Sequence, residues 1–326
     1  MKALVCHKLG PVESHKIRPW PDRQLGPTDV RVQIAYAGVN FPDTLIVQGL
    51  YQVKPQLPFI PGHECSGIVS EVGSAVHHLK TGDRVFVSTG TGGFAEHVIV
   101  PWHFAHRLPD SVPLDVAACI TVTYGTALHA LRDTAQLQEG ETVLVLGASG
   151  GVGSAAVEIA KAMGATVIAA ASTQEKCDYC KELGADHVIN YTTESLRDSV
   201  KELGGADVVI DPVGGLHAET ALRSLNYRGR YCVVGFAGGA IPTIPLNLAL
   251  LNERRIFGVE NKSWSHRNPQ EYKTSLSILV NWIKMGKLNP KITARYSLDE
   301  SVAALQHLQN RNALGKTIVE VDSKLV

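Results

Sequence analysis

The stretch Ile60-Pro61-Gly62-His63-Glu64-Cys65 sets an imidazole, a carboxylate and a thiol side by side, just ahead of the apolar run "GIVSEVG". These are metal-ligating types, and a catalytic zinc needs three protein ligands plus an open position, commonly mixing Cys and His. The pair Cys177 and Cys180 has C-x-x-C spacing but lies in a helix-like segment with no second pair nearby. A helix face explains it better than a metal or redox site. A third group is of another kind. "GASGGVG", Gly147 to Gly153, follows the buried-looking run "ETVLVL" and opens an amphipathic helix.

In that strand–turn–helix context Ala148, Gly150 and Gly153 take the three positions of the G-x-G-x-x-G fingerprint, the first replaced by alanine. Gly150 lets the backbone approach a pyrophosphate and Gly153 lets the helix pack on the strand. The phosphates then meet the helix amides and the positive end of its dipole. An NAD-specific site carries Asp or Glu about 20 residues further on, against the ribose hydroxyls. Here the second strand ends in Ala171, Ser172 and Thr173, with Lys176 a helical step beyond. The missing carboxylate removes repulsion against a 2′-phosphate while hydroxyl and ammonium supply donors, which favours NADPH.

The elements that must position these residues fall into two textures. From the start to about residue 110, short Val- and Ile-rich runs ("MKALVCHK", "DVRVQIAYAGV", "CSGIVSEVG", "DRVFVS", "FAEHVIV") alternate with Gly, Pro and Asp, as in a β-rich domain of antiparallel strands. Near Asp115 the spacing becomes helical in "DVAACITVTYGTALHALRDTA". Buried strands then alternate with helices through "HVIN", "DVVIDPV" and "RGRYCVVGFAGG", which implies right-handed crossovers and a parallel sheet covered on both faces. Past residue 262 come two helix-like segments, "EYKTSLSILVNWIKMGKL" and "SVAALQHLQNRNALG", and a last strand, "KTIVEV".

With 31 Lys+Arg against 31 Asp+Glu, no net field draws the chain to nucleic acid or an anionic membrane. No run approaches the ~18 apolar residues of a membrane helix. Six scattered cysteines and a start without a signal-peptide core point to a reduced, cytoplasmic protein. Ser323-Lys324-Leu325 is a peroxisomal address only at a true C-terminus, so with Val326 behind it the cytoplasmic expectation stands.

Several motifs in order ("AGVNFPDTLIVQGLYQVKPQLPFIPGHECSG", "GGFAEHVIVP", "VTYGTALHAL", "GASGGVG", "GADHVINY", "IDPVGG", "VVGFAGG", "GKTIVEV") resemble the medium-chain dehydrogenase/reductase superfamily, and within it the zeta-crystallin-like NADPH:quinone oxidoreductases. The resemblance spans the chain. It implies an α/β protein: a GroES-like β-rich catalytic domain (1–123 and 263–326) around a Rossmann-type doubly wound parallel-sheet NADPH-binding domain (124–262), with the active site in the cleft between them. It implies Ala148, Ser149, Gly150, Gly151, Val152 and Gly153 at the cofactor, with Val152 behind the nicotinamide and Thr126 near its end. Ser172, Lys176 and Tyr191 fall at the 2′-phosphate, and Gly235 and Phe236 flank the cofactor from a later strand end. A homodimer through an edge strand within "ERRIFGV" is also implied.

In the superfamily's zinc members the first ligand is a Cys where this chain has Asn40, the second is the His of "GHE", here His63, and the third aligns near Val122. One ligand of three cannot hold the ion, and the four-Cys structural lobe is missing. No metal is therefore expected, and His63 is expected to be neutral, with one or two protein hydrogen bonds. Without a Lewis acid the fitting acceptor is itself electrophilic, a quinone or an α,β-unsaturated carbonyl. "NFPDTLIVQGLYQ", read as a loop, supplies Asn40 for a carbonyl or ribose hydroxyl, Tyr51 as a wall and proton-donating phenol, and Asp43 as an anchor or positioning group. An enoyl-CoA or acryloyl-CoA reductase, or a non-catalytic crystallin-like nucleotide-binding protein, are the alternatives.

Overall fold

The computed structural model describes residues 1–325; Val326, on which the reading of Ser323-Lys324-Leu325 turns, lies outside the described residues. The chain forms two compact units, one of Met1–Val122 plus the return segment from Pro290 onward, the other of Thr123–Asn289.

In the first unit β1 (Lys2–Val5) pairs antiparallel with β2 (Lys16–Pro19). β3 (Asp29–Val39) is the spine of the main sheet. After it come α1 (Phe41–Gln48), β4 (Glu64–Val72), β5 (Arg84–Ser88), β6 (His97–Pro101), β7 (Ala105–Arg107) and the one-turn α2 (Leu114–Ala117). β4 pairs with β3 and β5, β7 with β5, and β6 with the first half of β3, all antiparallel. Alternate residues of these strands, among them Val32, Ile34, Val85 and Val87, meet Phe94 in one core.

The segment expected as a loop after β3 contains α1. Its signals are local: the Asn40 N–H bonds Asp43 Oδ2 at 2.8 Å, a proline stands in the first turn, and Gly49 closes the helix in the left-handed region at φ 73°. Sequence reading passed over it because the helix is only eight residues long. The stretch from Asp115, expected as a single helix, instead runs through π-helical turns at Ile120–Tyr124 and His129–Thr134 on either side of α3 (Gly125–Leu128). Nearly every residue from Ala117 to Leu131 is buried, so no polar face reveals the width of the turns.

The second unit continues with β8 (Thr142–Leu146), α4 (Gly151–Ala162), β9 (Thr166–Ala171), α5 (Gln174–Glu182), β10 (His187–Asn190), α6 (Leu196–Glu202) and β11 (Ala206–Asp211). Then follow α7 (His217–Arg223), β12 (Leu225–Val233), α8 (Asn247–Leu250), β13 (Arg255–Gly258), α9 (Asn261–Arg267) and α10 (Pro269–Lys284). Among the described residues the six strands form one parallel sheet in the order β10-β9-β8-β11-β12-β13. The order reverses beside β8, and in such sheets ligands bind outside the strand carboxyl ends at that point. Amphipathic α10 buries Ser275, Leu276, Leu279 and Val280, and Ser275 Oγ takes a 2.7 Å bond from Arg132. The helix therefore belongs to this unit, and the chain leaves it at 289/290 rather than at 262/263.

The return segment supplies β14 (Ile292–Ser297), α11 (Ser301–Gln309) and β15 (Lys316–Glu320). β15 pairs antiparallel with the second half of β3, Thr317 opposite Val39, and β14 pairs parallel with β15. Among the described residues no helix is long and apolar enough to cross a membrane.

Candidate active site

In the first unit the chemistry of "GHEC" divides at once. Glu64 opens β4 and turns inward, where it is fully buried. Its Oε1 accepts Lys316 Nζ at 3.0 Å and Asn40 Nδ2 at 3.0 Å. Its Oε2 accepts Thr121 Oγ1 at 3.0 Å and the Val122 N–H at 2.9 Å. The Lys316 ammonium also donates to Asn40 Oδ1 at 2.8 Å. Burial is the largest single influence and depresses the lysine, but the charge and hydrogen bond of Glu64 together with Cys119 and Asp43 outweigh it and hold Lys316 above its ordinary pKa. Four bonds to one carboxylate and a matched cation satisfy the requirement for a buried charge.

That arrangement fixes Asn40. At 2% exposure, it spends one amide hydrogen on Glu64 and the other on Gly38 O at 3.3 Å. Glycine at 38 is required, since a Cβ there would lie 2.3 Å from Ala118 O and 2.6 Å from Glu64 Oε1. Lys316 was not foreseen as part of the site; "GKTIVEV" was read only as a closing strand, with nothing local to tie its first residue to Glu64.

His63 points elsewhere. Its Nδ1 lies 2.5 Å from Asp43 Oδ1. Asp43, fully buried on the first turn of α1, also accepts the N–H groups of Asn40 and of Gly62, the latter at 3.2 Å. The Tyr51 ring stands edge-on to the imidazole with centroids 5.9 Å apart. His63 Nε2 is buried and has no hydrogen-bond partner among the described residues. Cys65 is buried in β4, and burial raises its thiol well above the ordinary range.

These residues do not fit a catalytic zinc. The Asn40 position holds an amide already bonded to an ammonium, and an ammonium there repels a divalent cation. Val122 contributes only a backbone N–H, itself spent on Glu64. The nearby Cys119 thiol is pushed up by burial to about 12, far from the thiolate a metal requires. Among the described residues no three His, Cys, Asp or Glu side chains are grouped as ligands.

In the second unit the glycine turn joins β8 to α4. Gly147 sits at φ 55°, Gly150 is the N-cap, and the first turn of α4 carries no acidic residue. A Cβ on Gly153 would come within 2.2 Å of Gly147 O and 2.7 Å of Ala148 Cα, so only glycine lets the helix pack this closely on the turn. A Cβ on Gly150 would meet nothing but Gly147 O at 3.4 Å, which leaves its outer side open. Ala148 and Ser149 are buried in the turn, while Gly151 and Val152 are partly exposed on the first turn of α4. Uncommitted helix amides with no carboxylate before them suit a pyrophosphate.

At the end of β9, Lys176 Nζ reaches Ser172 Oγ at 3.4 Å, and Thr173 caps α5 by accepting the Lys176 N–H. Tyr191 is tied to the same strand end, its N–H on Ala171 O at 3.1 Å, and its ring packs on His217 with centroids 4.2 Å apart. Burial lowers the His217 pKa, and this neighbour was not foreseen. Gly235 and the partly exposed Phe236 lie on the loop after β12. Phe236 closes on Gly214, where a Cβ would meet its ring at 2.8 Å, and Val213 likewise crowds Gly147 at 2.6 Å. The carboxyl ends of β8, β11 and β12 thus converge on the glycine turn. Thr126 is set apart on α3, partly exposed. Cys177 and Cys180 are buried free thiols on α5.

Residues 26–110 match the family of alcohol dehydrogenase GroES-like domains and residues 151–281 that of zinc-binding dehydrogenases. The chain is 40% identical over 325 residues to quinone oxidoreductase-like protein 2 of Bos taurus, covering 98% of this chain and 92% of that one. To the Homo sapiens quinone oxidoreductase it is 34% identical, covering 98% and 97%. The Escherichia coli quinone oxidoreductase complexed with NADPH superposes with a TM-score of 0.92 at 29% identity, covering 98% of this chain and all (100%) of that one.

Proposed function

The chain belongs to the quinone oxidoreductase family of medium-chain dehydrogenase/reductases, and from that premise we propose that it reduces a quinone or an α,β-unsaturated carbonyl at the expense of NADPH, without zinc. The observation that carries the reading is the ammonium of Lys316 on Asn40 Oδ1, which commits to an internal cation the residue standing where a zinc relative keeps its first ligand. A site so built must take an acceptor that is electrophilic by itself.

When bound, NADPH supplies the hydride. The chain's own part is placement. The open side of Gly150 and the amides of Gly151, Val152 and Gly153 receive the pyrophosphate, with Ala148 and Ser149 shaping the turn. Ser172, Lys176 and Tyr191 receive the 2′-phosphate, and Thr126, Gly235 and Phe236 border the nicotinamide half. Asn40 and Asp43 act as positioning residues, one through the Glu64–Lys316 pair and one through His63. Tyr51 walls the acceptor.

The reading extends to a homodimer through β13, an edge strand that carries the exposed Ile256, in a unit that also exposes Tyr227, Leu246 and Leu250. It also includes a reducing, cytoplasmic setting, supported by six buried free cysteines among the described residues. The test is NADPH oxidation with a panel of quinones, enals and enoyl-CoA thioesters. Quinone or enal turnover by zinc-free protein is expected; stoichiometric zinc would overturn the metal-free reading. Turnover of the thioesters alone would make it an enoyl-CoA reductase, and turnover of none a nucleotide-binding protein.

A further inference from the structure

We infer that Asp211 and Tyr231 are positioning residues for the dinucleotide: together they brace the turn that packs on the glycine turn after β8, and so set the affinity for NADPH. This rests on the NADPH reading above and adds to it two buried residues outside the glycine motif.

β11 runs through Val208, Val209 and Ile210, all buried, and ends in a carboxyl group. Asp211 is 2% exposed, and a buried polar group is costly unless it is hydrogen-bonded. Its Oδ1 accepts the N–H of Val213 and that of Gly214, each at 2.8 Å. Its Oδ2 accepts the hydroxyl of the equally buried Tyr231. Tyr231 stands opposite Val209 in the β11–β12 register, and Asp211, two residues on, shares that face of the sheet. The phenol therefore reaches the carboxyl from a fixed strand position. Burial, and after it Asp211, push the Tyr231 pKa well above the ordinary range, so the hydroxyl keeps the hydrogen it donates.

What the pair holds is the turn after β11. Gly214 and Gly215 follow each other in the left-handed region, at φ 66° and 65°, and reverse the chain. Val213 enters the space over Gly147, and the Phe236 ring closes on Gly214. The main chain laces the same turn to the loop after β12. Asp211 O accepts the Val234 N–H at 2.9 Å, Val213 O accepts that of Gly238 at 2.8 Å, and Gly215 donates to Ala240 O at 3.0 Å. The turn is thus wedged between the glycine turn and the loop of Gly235 and Phe236, at the place where the strand order reverses. An apolar side chain at 211 would be easier to bury, but the two N–H groups of the turn would lose their acceptor.

The brace bears on one half of the cofactor more than on the other. Ser172, Lys176 and Tyr191 are held at the carboxyl end of β9: Thr192 Oγ1 bonds Ser172 O at 3.2 Å, and the Tyr191 N–H bonds Ala171 O at 3.1 Å. Of that group Tyr191 also packs on His217, which follows the turn. The 2′-phosphate contacts therefore keep their frame when the turn loosens, while the seat of the pyrophosphate and of the nicotinamide half shifts. A residue that merely stabilised the unit would show no such division.

The test compares wild type with Asp211→Ala, Tyr231→Phe and Asp211→Asn by isothermal titration of NADPH and of adenosine 2′-monophosphate. Asp211→Ala should weaken NADPH about tenfold or more and Tyr231→Phe about fivefold, as buried groups are left without a partner. Asp211→Asn should stay within about twofold of wild type, because its carbonyl takes the two N–H groups and its NH2 donates to the Tyr231 oxygen. All three variants should bind adenosine 2′-monophosphate within about twofold of wild type, since its contacts lie at the β9 end. If Asp211→Ala fails to fold by circular dichroism, Tyr231→Phe, which removes a single oxygen, decides. NADPH bound equally well by all the proteins would overturn the proposal. So would equal losses for both ligands, the mark of a purely structural group, or Asp211→Asn as weak as Asp211→Ala. Wild type that binds no NADPH would sink the cofactor reading, and this inference with it.

Discussion

Glu64 and Lys316 come from positions 252 residues apart and meet as a 3.0 Å ion pair whose side chains are 1% and 2% exposed. Removing one partner strands a buried charge, which costs about 3–5 kcal/mol. Lys316→Met should therefore lower stability by that order, measured by urea unfolding, and adding Glu64→Gln should restore part of it. The pair also sets an alkaline limit. Because the folded-state lysine lies above its ordinary value, its contribution is complete below about pH 10.4, the ordinary lysine value, and disappears as pH rises through the folded one. Wild type should lose this increment of stability on the alkaline side and Lys316→Met should not. At this scale the sequence was half legible. The types and spacing in "GHEC" and the Asn at 40 argued for a site without a metal, but the ammonium bonded to Asn40 lies in a strand far along the chain, with nothing local to announce it.

The β8–α4–β9 unit was readable because its parts announce themselves: two apolar runs, a glycine turn and an amphipathic helix. Gly153→Ala should abolish NADPH binding, since the added Cβ has only 2.2 Å to Gly147 O and must push α4 off the turn; isothermal titration would show it. Lys176→Ala tests the strand end. Loss of a charge-assisted contact to a 2′-phosphate should weaken NADPH about tenfold and leave NADH untouched, as competitive binding would reveal. Equal losses for both dinucleotides would remove Lys176 from that role. α1 and the π-helical turns were less legible for opposite reasons. α1 is short, with its evidence in caps rather than periodicity, whereas the Ile120–Thr134 region is so uniformly buried that periodicity carries no phase.

For the whole molecule, the edge of the parallel sheet is the feature on which the proposed dimer rests. Among the described residues β13 is the end strand of the sheet, and in the same unit Leu246 and Leu250 are 81% and 79% exposed. Ile256→Asp with Leu250→Glu should convert a dimer to a monomer in sedimentation velocity without loss of circular dichroism; a wild-type monomer would refute the assembly. The interrupted order of the two units was visible as a change of texture near Asp115, but the exit at 289/290 was not. α10 looks like any amphipathic helix, and only its bonded neighbours say which core it serves.

The closing strand β15 gives the molecule a chronology. As the chain is synthesised, residues 123–289 are complete before Lys316 exists, so the nucleotide-type unit has every strand of its sheet while the first unit still lacks β14, β15 and the partner of Glu64. The carboxylate must stay hydrated until the last strand arrives, and the first unit, begun earliest, is the last to close.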